Sequence, residues 1–383
     1  MRWRSFRKGL LKVHLWLAII LSLPMVLIGI SGSALLVQRE ILNHSHPSAT
    51  ATGERKTIPE LIAAAQKAAP QGAIAKRVDL PPSTGASASV RFTPKEEDKP
   101  ELDIFVDPVS LNLLGSEDVI ERGPILAFLI TIHAFLAMPP PIGLPFVGWN
   151  GVIMTFMGLS GLLLWWPRRR QWQGLFFPRK GARGVAFHLD LHRTIGIWGL
   201  LVLLAVSISG IYLTFPQKIG PFIKNHFPAA DVTTDPVPGY RRFSANVTPD
   251  QAIVSAQSAV RAARAMSVEL PGENPSYTVE LEPQDVAPTD PRVIVVMDAK
   301  TGSIDYIDDP RNYAATDQVL NWQHNLHFGV GLGWIWMILV FLSGLMPLLF
   351  AITGLTVWWK RRRTASAVDD PGSIGAVAPR ALD

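Results

Sequence analysis

The sequence predicts a membrane α-helical protein: four transmembrane helices in a parallel internal repeat, with two small α+β domains outside the bilayer. Three observations carry this. Of 383 residues, 48% are hydrophobic and only 17% charged, against about a quarter charged in soluble domains, and mean hydropathy is +0.22. Four apolar stretches, Leu15–Val37, Val147–Trp166, Ile195–Phe215 and Trp334–Trp359, reach the roughly 20 residues that cross hydrocarbon. The third observation is that the halves repeat.

The first element is a transmembrane helix over 8–37, preceded by Arg2, Arg4, Arg7, Lys8 and Lys12. Its apolar run is too long for a signal-peptide core and no clean small-x-small cleavage site follows, so a retained anchor is expected. A polar domain over 38–121 comes next. Thr57-Ile-Pro-Glu60 is a capping-box pattern ahead of an alanine-rich helix, and Ser87–Phe92, Glu101–Asp107 and Leu111–Leu114 read as strands. A His-bearing helix (122–138) leads through the prolines of 138–145 into the second span (147–167), followed by a basic loop (168–187). The third span (188–215), a second polar domain (216–315), a second His-bearing helix (316–328) and the fourth span (332–360) repeat the plan. The second domain carries Thr248-Pro-Asp-Gln251 and strands Tyr277–Glu282, Arg292–Asp298 and Ser303–Ile307. The chain ends in a cytoplasmic tail over 361–383, and 1–7 and 364–383 read as disordered.

Charge orients these elements. Residues 38–122 hold 10 Lys/Arg against 13 Asp/Glu, and 216–318 hold 9 against 14. The N-terminal cluster, Arg168–Arg170 with Arg179, Lys180 and Arg183, and Lys360–Arg363 contain no acidic residue. The positive-inside rule places these clusters and both termini in the cytoplasm and both polar domains outside. The net charge of +5 is thereby a topology signal, and no nucleic-acid partner is expected.

The repeat is explicit. A shift of 178 lays His14 over His192 and Ile30-Ser31-Gly32 over Ile208-Ser209-Gly210; a shift of 193 lays Gly161 and Trp165-Trp166 over Gly354 and Trp358-Trp359; a shift of 194 lays His133 over His327. Both halves start inside, so the repeat axis runs along the membrane normal.

The absence of cysteine excludes thiolate zinc sites, iron–sulfur clusters and disulfides, leaving histidine as the strong soft-metal ligand. His44, His46 and His226 sit in polar stretches and read as solvated loop residues. The other six lie at ends of apolar helices, where an ionisable group is costly unless it has a task. His14, His188 and His192 fall at the inner end, and His133, His324 and His327 at the outer end. Interfacial histidines bonded to headgroups or carbonyls are the plain alternative. No Ser-His-Asp set, HExxH or P-loop occurs, and Gly329-x-Gly331-x-Gly333 precedes an apolar span rather than opening a βαβ unit.

Leu191-His192-x-x-x-Gly196, the Ser-Gly pairs, the strand-Asp-x-x-Thr-Gly hairpin and the Trp-Trp-x-Arg-Arg-Arg exits resemble the PepSY-associated transmembrane family over about residues 8–363. Within it the chain is most similar to the bacterial inner-membrane siderophore reductases of the ferrioxamine type. The resemblance implies PepSY-like periplasmic domains, two b-type haems and reduction of periplasmic ferric siderophore. Bis-histidine ligation needs imidazoles on opposite faces of one plane, and repeat-related pairs supply that: His14 with His192 inside, His133 with His327 outside. His188 and His324 share helical faces with His192 and His327 and stand as alternate ligands, or as contacts to a propionate or to ferric substrate. Gly32 and Gly210 outside, and Gly158, Gly161 and Gly354 inside, would admit a macrocycle or simply pack helices. Trp165, Trp166, Trp358 and Trp359 read as interfacial anchors.

The inner loops are too short for a flavin or nicotinamide domain, so electrons come from a separate cytoplasmic reductase or membrane quinol. The 168–183 loop, with Trp172, Phe176 and Phe177, either docks that donor or rests on anionic headgroups. Outside, Met138–Pro145 and Phe328–Gly333 are expected to be irregular; they either frame a ferric siderophore site or, for the prolines, merely turn the chain between two helices. Two other functions fit the same sequence: a histidine-lined metal or siderophore transporter, and a non-enzymatic PepSY peptide-binding or regulatory protein.

Overall fold

The computed structural model describes residues 2–43, 47–81, 83–96, 99–118, 124–166, 176–227, 246–284 and 292–368. The helices are α1 Arg2–Asn43, α2 Ile58–Gln66, α3 Pro124–Phe135, α4 Pro140–Trp165, α5 Gly184–Thr214, α6 Pro216–His226, α7 Pro249–Ala259, α8 Ala315–His327 and α9 Gly333–Val368. The strands are β1 Ile74–Asp79, β2 Ala88–Thr93, β3 Leu102–Val106, β4 Leu113–Asp118, β5 Ala263–Glu269, β6 Ser276–Pro283, β7 Val293–Asp298 and β8 Ile304–Asp308. They form two compact units, one of residues 1–33, 132–215 and 334–383, the other of 34–131 and 216–333.

The first unit holds the helices long and apolar enough to cross a membrane: α1, α4, α5 and α9. Its packing obeys the repeat. A Cβ added to Gly344 on α9 would lie 2.6 Å from the carbonyl oxygen of Gly29 on α1 and would strike Ser33. A Cβ on Gly151 of α4 would lie 3.0 Å from Ile211 and 3.5 Å from the carbonyl of Ser207 on α5. Gly151 is the 193-residue counterpart of Gly344, and Ser207 and Ile211 are the 178-residue counterparts of Gly29 and Ser33. Pairs α1/α9 and α5/α4 are therefore one small-residue contact used twice.

The second unit is a single antiparallel sheet in the order β4-β3-β2-β1-β5-β6-β7-β8. This corrects the expectation of two separate domains: β1 pairs with β5 through Arg77↔Glu269, Val78↔Val268 and Asp79↔Ser267 and fuses the halves. Helices α2 and α7 bury Ile58, Leu61, Ala252, Ile253 and Ala256 against Val78, Val90, Phe92, Ile104, Val268, Val279, Leu281 and Val295 on one face. Both capping boxes form, Thr57 with Glu60 and Thr248 with Gln251. Asp250 further accepts from the Ile58 amide at 3.0 Å, so one half caps the helix of the other.

The opposite face carries ion pairs. Arg77 donates bidentately to Glu280 at 2.9 and 3.0 Å and to Asp79 at 2.8 Å; Arg91 pairs with Asp103 at 2.8 and 2.9 Å. The hairpins turn alike. Asp107 accepts from the Val109 and Ser110 amides, and Asp298 from Lys300 and Thr301. Leu111 stands left-handed (φ 64°) where the second hairpin has Gly302 (φ 69°), so β4 starts at Leu113 rather than at Leu111.

Other expectations need correction. The 138–145 segment is irregular only up to Pro139; α4 starts at Pro140, because a first helical turn has no amide partners for prolines to remove. The break is made instead by Leu136 and Ala137, at φ 50° and 58°. Phe328–Gly333 is non-helical up to the start of α9, with Gly329, Gly331 and Gly333 all left-handed. The N-terminus is helical from Arg2, and 364–368 continue α9; 369–383 lie outside the described residues. So do His44, His46 and 167–175 of the basic loop, whereas His226 is exposed on α6, not in a loop.

Candidate functional site

The inner histidines sit one on α1 and one on α5, each reaching across to the other apolar pair of helices. His14 Nδ1 lies 2.8 Å from Ser160 Oγ on α4. His192 Nδ1 lies 2.9 Å from Thr353 Oγ1 on α9. Ser160 and Thr353 are themselves related by the 193-residue shift. The glycine after each hydroxyl meets the same ring edge: a Cβ on Gly161 would stand 3.7 Å from His14 Cε1, and one on Gly354 3.7 Å from His192 Cε1. Neither Nε2 has a hydrogen-bond partner among the described residues. Gly158, by contrast, packs on Leu200 and Leu204 and serves only helix contact.

His188, one turn before His192, lacks a hydroxyl of this kind. Its Nδ1 is buried without a partner among the described residues, and its ring meets Phe187 edge-on at 5.8 Å. The position also lies beside a buried carboxylate that the sequence reading missed: Asp190 takes Arg179 Nε at 2.8 Å, Nη2 at 3.1 Å and the Arg179 amide at 3.2 Å. This bidentate pair ties the basic loop to the start of α5. Arg7 donates to the carbonyls of Leu164 and Trp166, unsatisfied acceptors at the C-terminus of α4. Trp165 is buried, packing on Phe176 at 5.4 Å, so it is no exposed anchor; Trp166 and Trp359 are exposed, and Arg363 stacks over Trp359 at 4.0 Å.

His133 is held differently. Its Nδ1 donates to the carbonyl of Ile28 at 2.9 Å, and its ring lies on the backbone of Gly32, where a Cβ would stand 2.7 Å from Cε1 and 3.0 Å from Nδ1. A carbonyl only accepts, so Nδ1 carries the proton and Nε2 is the basic nitrogen. Gly32 thus makes room for the imidazole itself.

His324 and His327 belong to the sheet-bearing unit, in the last turn of α8. His324 is exposed and stacks on Phe328 at 4.1 Å and 14°, and His327 meets the same ring at 6.0 Å and 64°. Between them Asn325 is buried, and the chain folds back so that Val330 donates to its carbonyl and Gly331 lies on Trp322. At the other end of α8, Lys224 pairs with Asp317 at 2.6 Å and Thr316 Oγ1 donates to the Phe227 carbonyl, bracing α8 against α6.

Ser160 and Thr353 were the missed members of the inner site. The signal was present: the shift that lays Gly161 on Gly354 lays Ser160 on Thr353 one residue earlier. Among the described residues no three histidine, aspartate or glutamate side chains gather as a cage for a bare cation. A search of curated proteins returned no match. The profile of the PepSY-associated TM region matches residues 11–361, nearly the whole chain. The protein is a membrane protein of the PepSY-associated transmembrane family.

Proposed function

We propose that this protein is a di-haem oxidoreductase of a bacterial inner membrane, similar to the ferrioxamine-type reductases, that reduces ferric siderophore on the periplasmic side and releases Fe(II). The observation that supports this best is the inner pair. Two repeat-related imidazoles are each fixed through Nδ1 by a buried hydroxyl, each flanked by a glycine and each left with Nε2 unpartnered among the described residues. Two such nitrogens are too few for a bare cation and are the donor set that would hold a haem iron. His14 and His192 would hold the inner haem, and His133 with His327 the outer one, with His188 and His324 as alternates. With no cysteine for a thioether link, both would be b-type.

Haem there supplies one-electron transfer, and reducing Fe(III) labilises the siderophore's grip on the metal. The chain's own contribution is to orient the ligating nitrogens, keep water from buried hydroxyls and set ligand strength. The acid-free Lys/Arg clusters support an orientation with both termini in the cytoplasm and the sheet-bearing unit in the periplasm. The electron donor is then a separate cytoplasmic reductase or membrane quinol.

The test is direct. Purified protein is reduced, freed of excess reductant and mixed anaerobically with ferric siderophore while a ferrous chelator reports Fe(II). Stoichiometric Fe(II) release that disappears in His14→Ala is expected. A colourless protein, or release no faster than in its absence, would refute the reading.

A further inference from the structure

We propose that Ser160 and Thr353 are positioning residues that lock His14 and His192 in the Nδ1–H tautomer and set the electron-donating strength of their Nε2 atoms. This rests on the haem reading above. A hydroxyl has one proton, and in both residues that proton is committed elsewhere. Ser160 Oγ donates to the Met157 carbonyl at 3.1 Å. Thr353 Oγ1 donates to the Leu349 carbonyl at 2.7 Å, with the Phe350 carbonyl at 3.3 Å. Each oxygen can therefore only accept from the imidazole. A neutral imidazole has a single N–H, so Nδ1 carries it and Nε2 keeps a lone pair.

The resulting chain, Nδ1–H to hydroxyl to main-chain carbonyl, runs in one direction. Each bond polarises the next, and the sum pushes electron density onto the ring, raising its basicity as a ligand. Both hydroxyls are only 2% exposed, so water does not compete for them. The flanking positions differ between repeats, Met154 against Pro347 and Met157 against Phe350, while a hydroxyl recurs at the position that bonds the histidine Nδ1. His133 Nδ1 bonds the main-chain carbonyl of Ile28 instead.

The test is potentiometry and low-temperature electron paramagnetic resonance of the haem-loaded, full-length protein, with Ser160→Ala and Thr353→Val as variants and Ser160→Thr and Thr353→Ser as rescues. Loss of either acceptor weakens the electron push that favours ferric iron. The expected result is a shift of one midpoint potential to more positive values and a changed low-spin ferric signal, at unchanged haem content, with both restored in the hydroxyl-preserving variants. Unmoved potentials and signals at full haem content would overturn the proposal while leaving the haem reading intact. Native protein without haem would overturn that reading itself, and this inference with it. Should Ser160→Ala fail to accumulate, Ser160→Cys, a weak acceptor, carries the same two outcomes.

Discussion

Replacing Gly32 by alanine should dislodge His133. The new Cβ would stand 2.7 Å from Cε1 and 3.0 Å from Nδ1 of a ring already bonded to Ile28 at 2.9 Å. Ordinary carbon contacts begin near about 3.5 Å, so the ring has to retreat by about 0.8 Å, which takes the 2.9 Å bond beyond hydrogen-bonding range. Overpacking of this kind costs about 1–3 kcal/mol, and the lost bond about 1 kcal/mol more. A total of about 2–4 kcal/mol corresponds to a Tm lower by a few degrees. Gly161→Ala is the matched control, since its Cβ would meet His14 at 3.7 Å, an ordinary contact. Thermal unfolding in detergent, read beside the optical spectrum, separates the two. Equal stability of Gly32→Ala and Gly161→Ala would show that the His133 ring does not depend on the space at Gly32.

The sheet-bearing unit supplies two further predictions. Burial alone would raise the Asp107 carboxyl, but the amides of Ser110, Val109, Ala51 and Thr50 hold it down to about 2, against 3.8 unperturbed. Its contribution is present above the unperturbed value and lost as pH falls from 3.8 towards 2; Asp107→Asn should flatten that acid limb in unfolding followed against pH, and a native-like limb would contradict this. Arg77→Met leaves Glu280 with Arg292 and strips Asp79 of its partner. It should lower stability by about 1–3 kcal/mol, and adding Glu280→Gln should cost less than the sum of the singles in a double-mutant cycle.

Much of this was legible because membrane and repeat signals are strong in composition. Four spans, both capping boxes, six of eight strands and the Asp-headed hairpins follow from apolar length, spacing and turn chemistry. Strands β1 and β5 did not, because Ile74–Asp79 and Ala263–Glu269 mix Lys, Arg and Glu into segments whose partner lies in the other half. Charges there are neutralised by cross-strand pairing, which spacing along one strand cannot disclose. The 138–145 prolines misled by composition: Pro139, Pro140 and Pro141 stand at the cap and first turn of α4, where a helix breaker is welcome, and Pro145 lies inside the helix. At the site, the histidines stood out because they are costly in apolar segments. Ser160 and Thr353 did not, because a serine or threonine in a span ordinarily bonds its own helix carbonyl, as Ser31 and Ser209 do here.

If His14 and His192 hold a haem, removing either imidazole must show in the haem stoichiometry. Pyridine haemochrome assay of native protein, His14→Ala and His192→Ala, each normalised to protein and shown to retain the native unfolding profile, should give two b-type haems in the first and one in each variant. No haem in the native protein, or two retained in both variants, would contradict it.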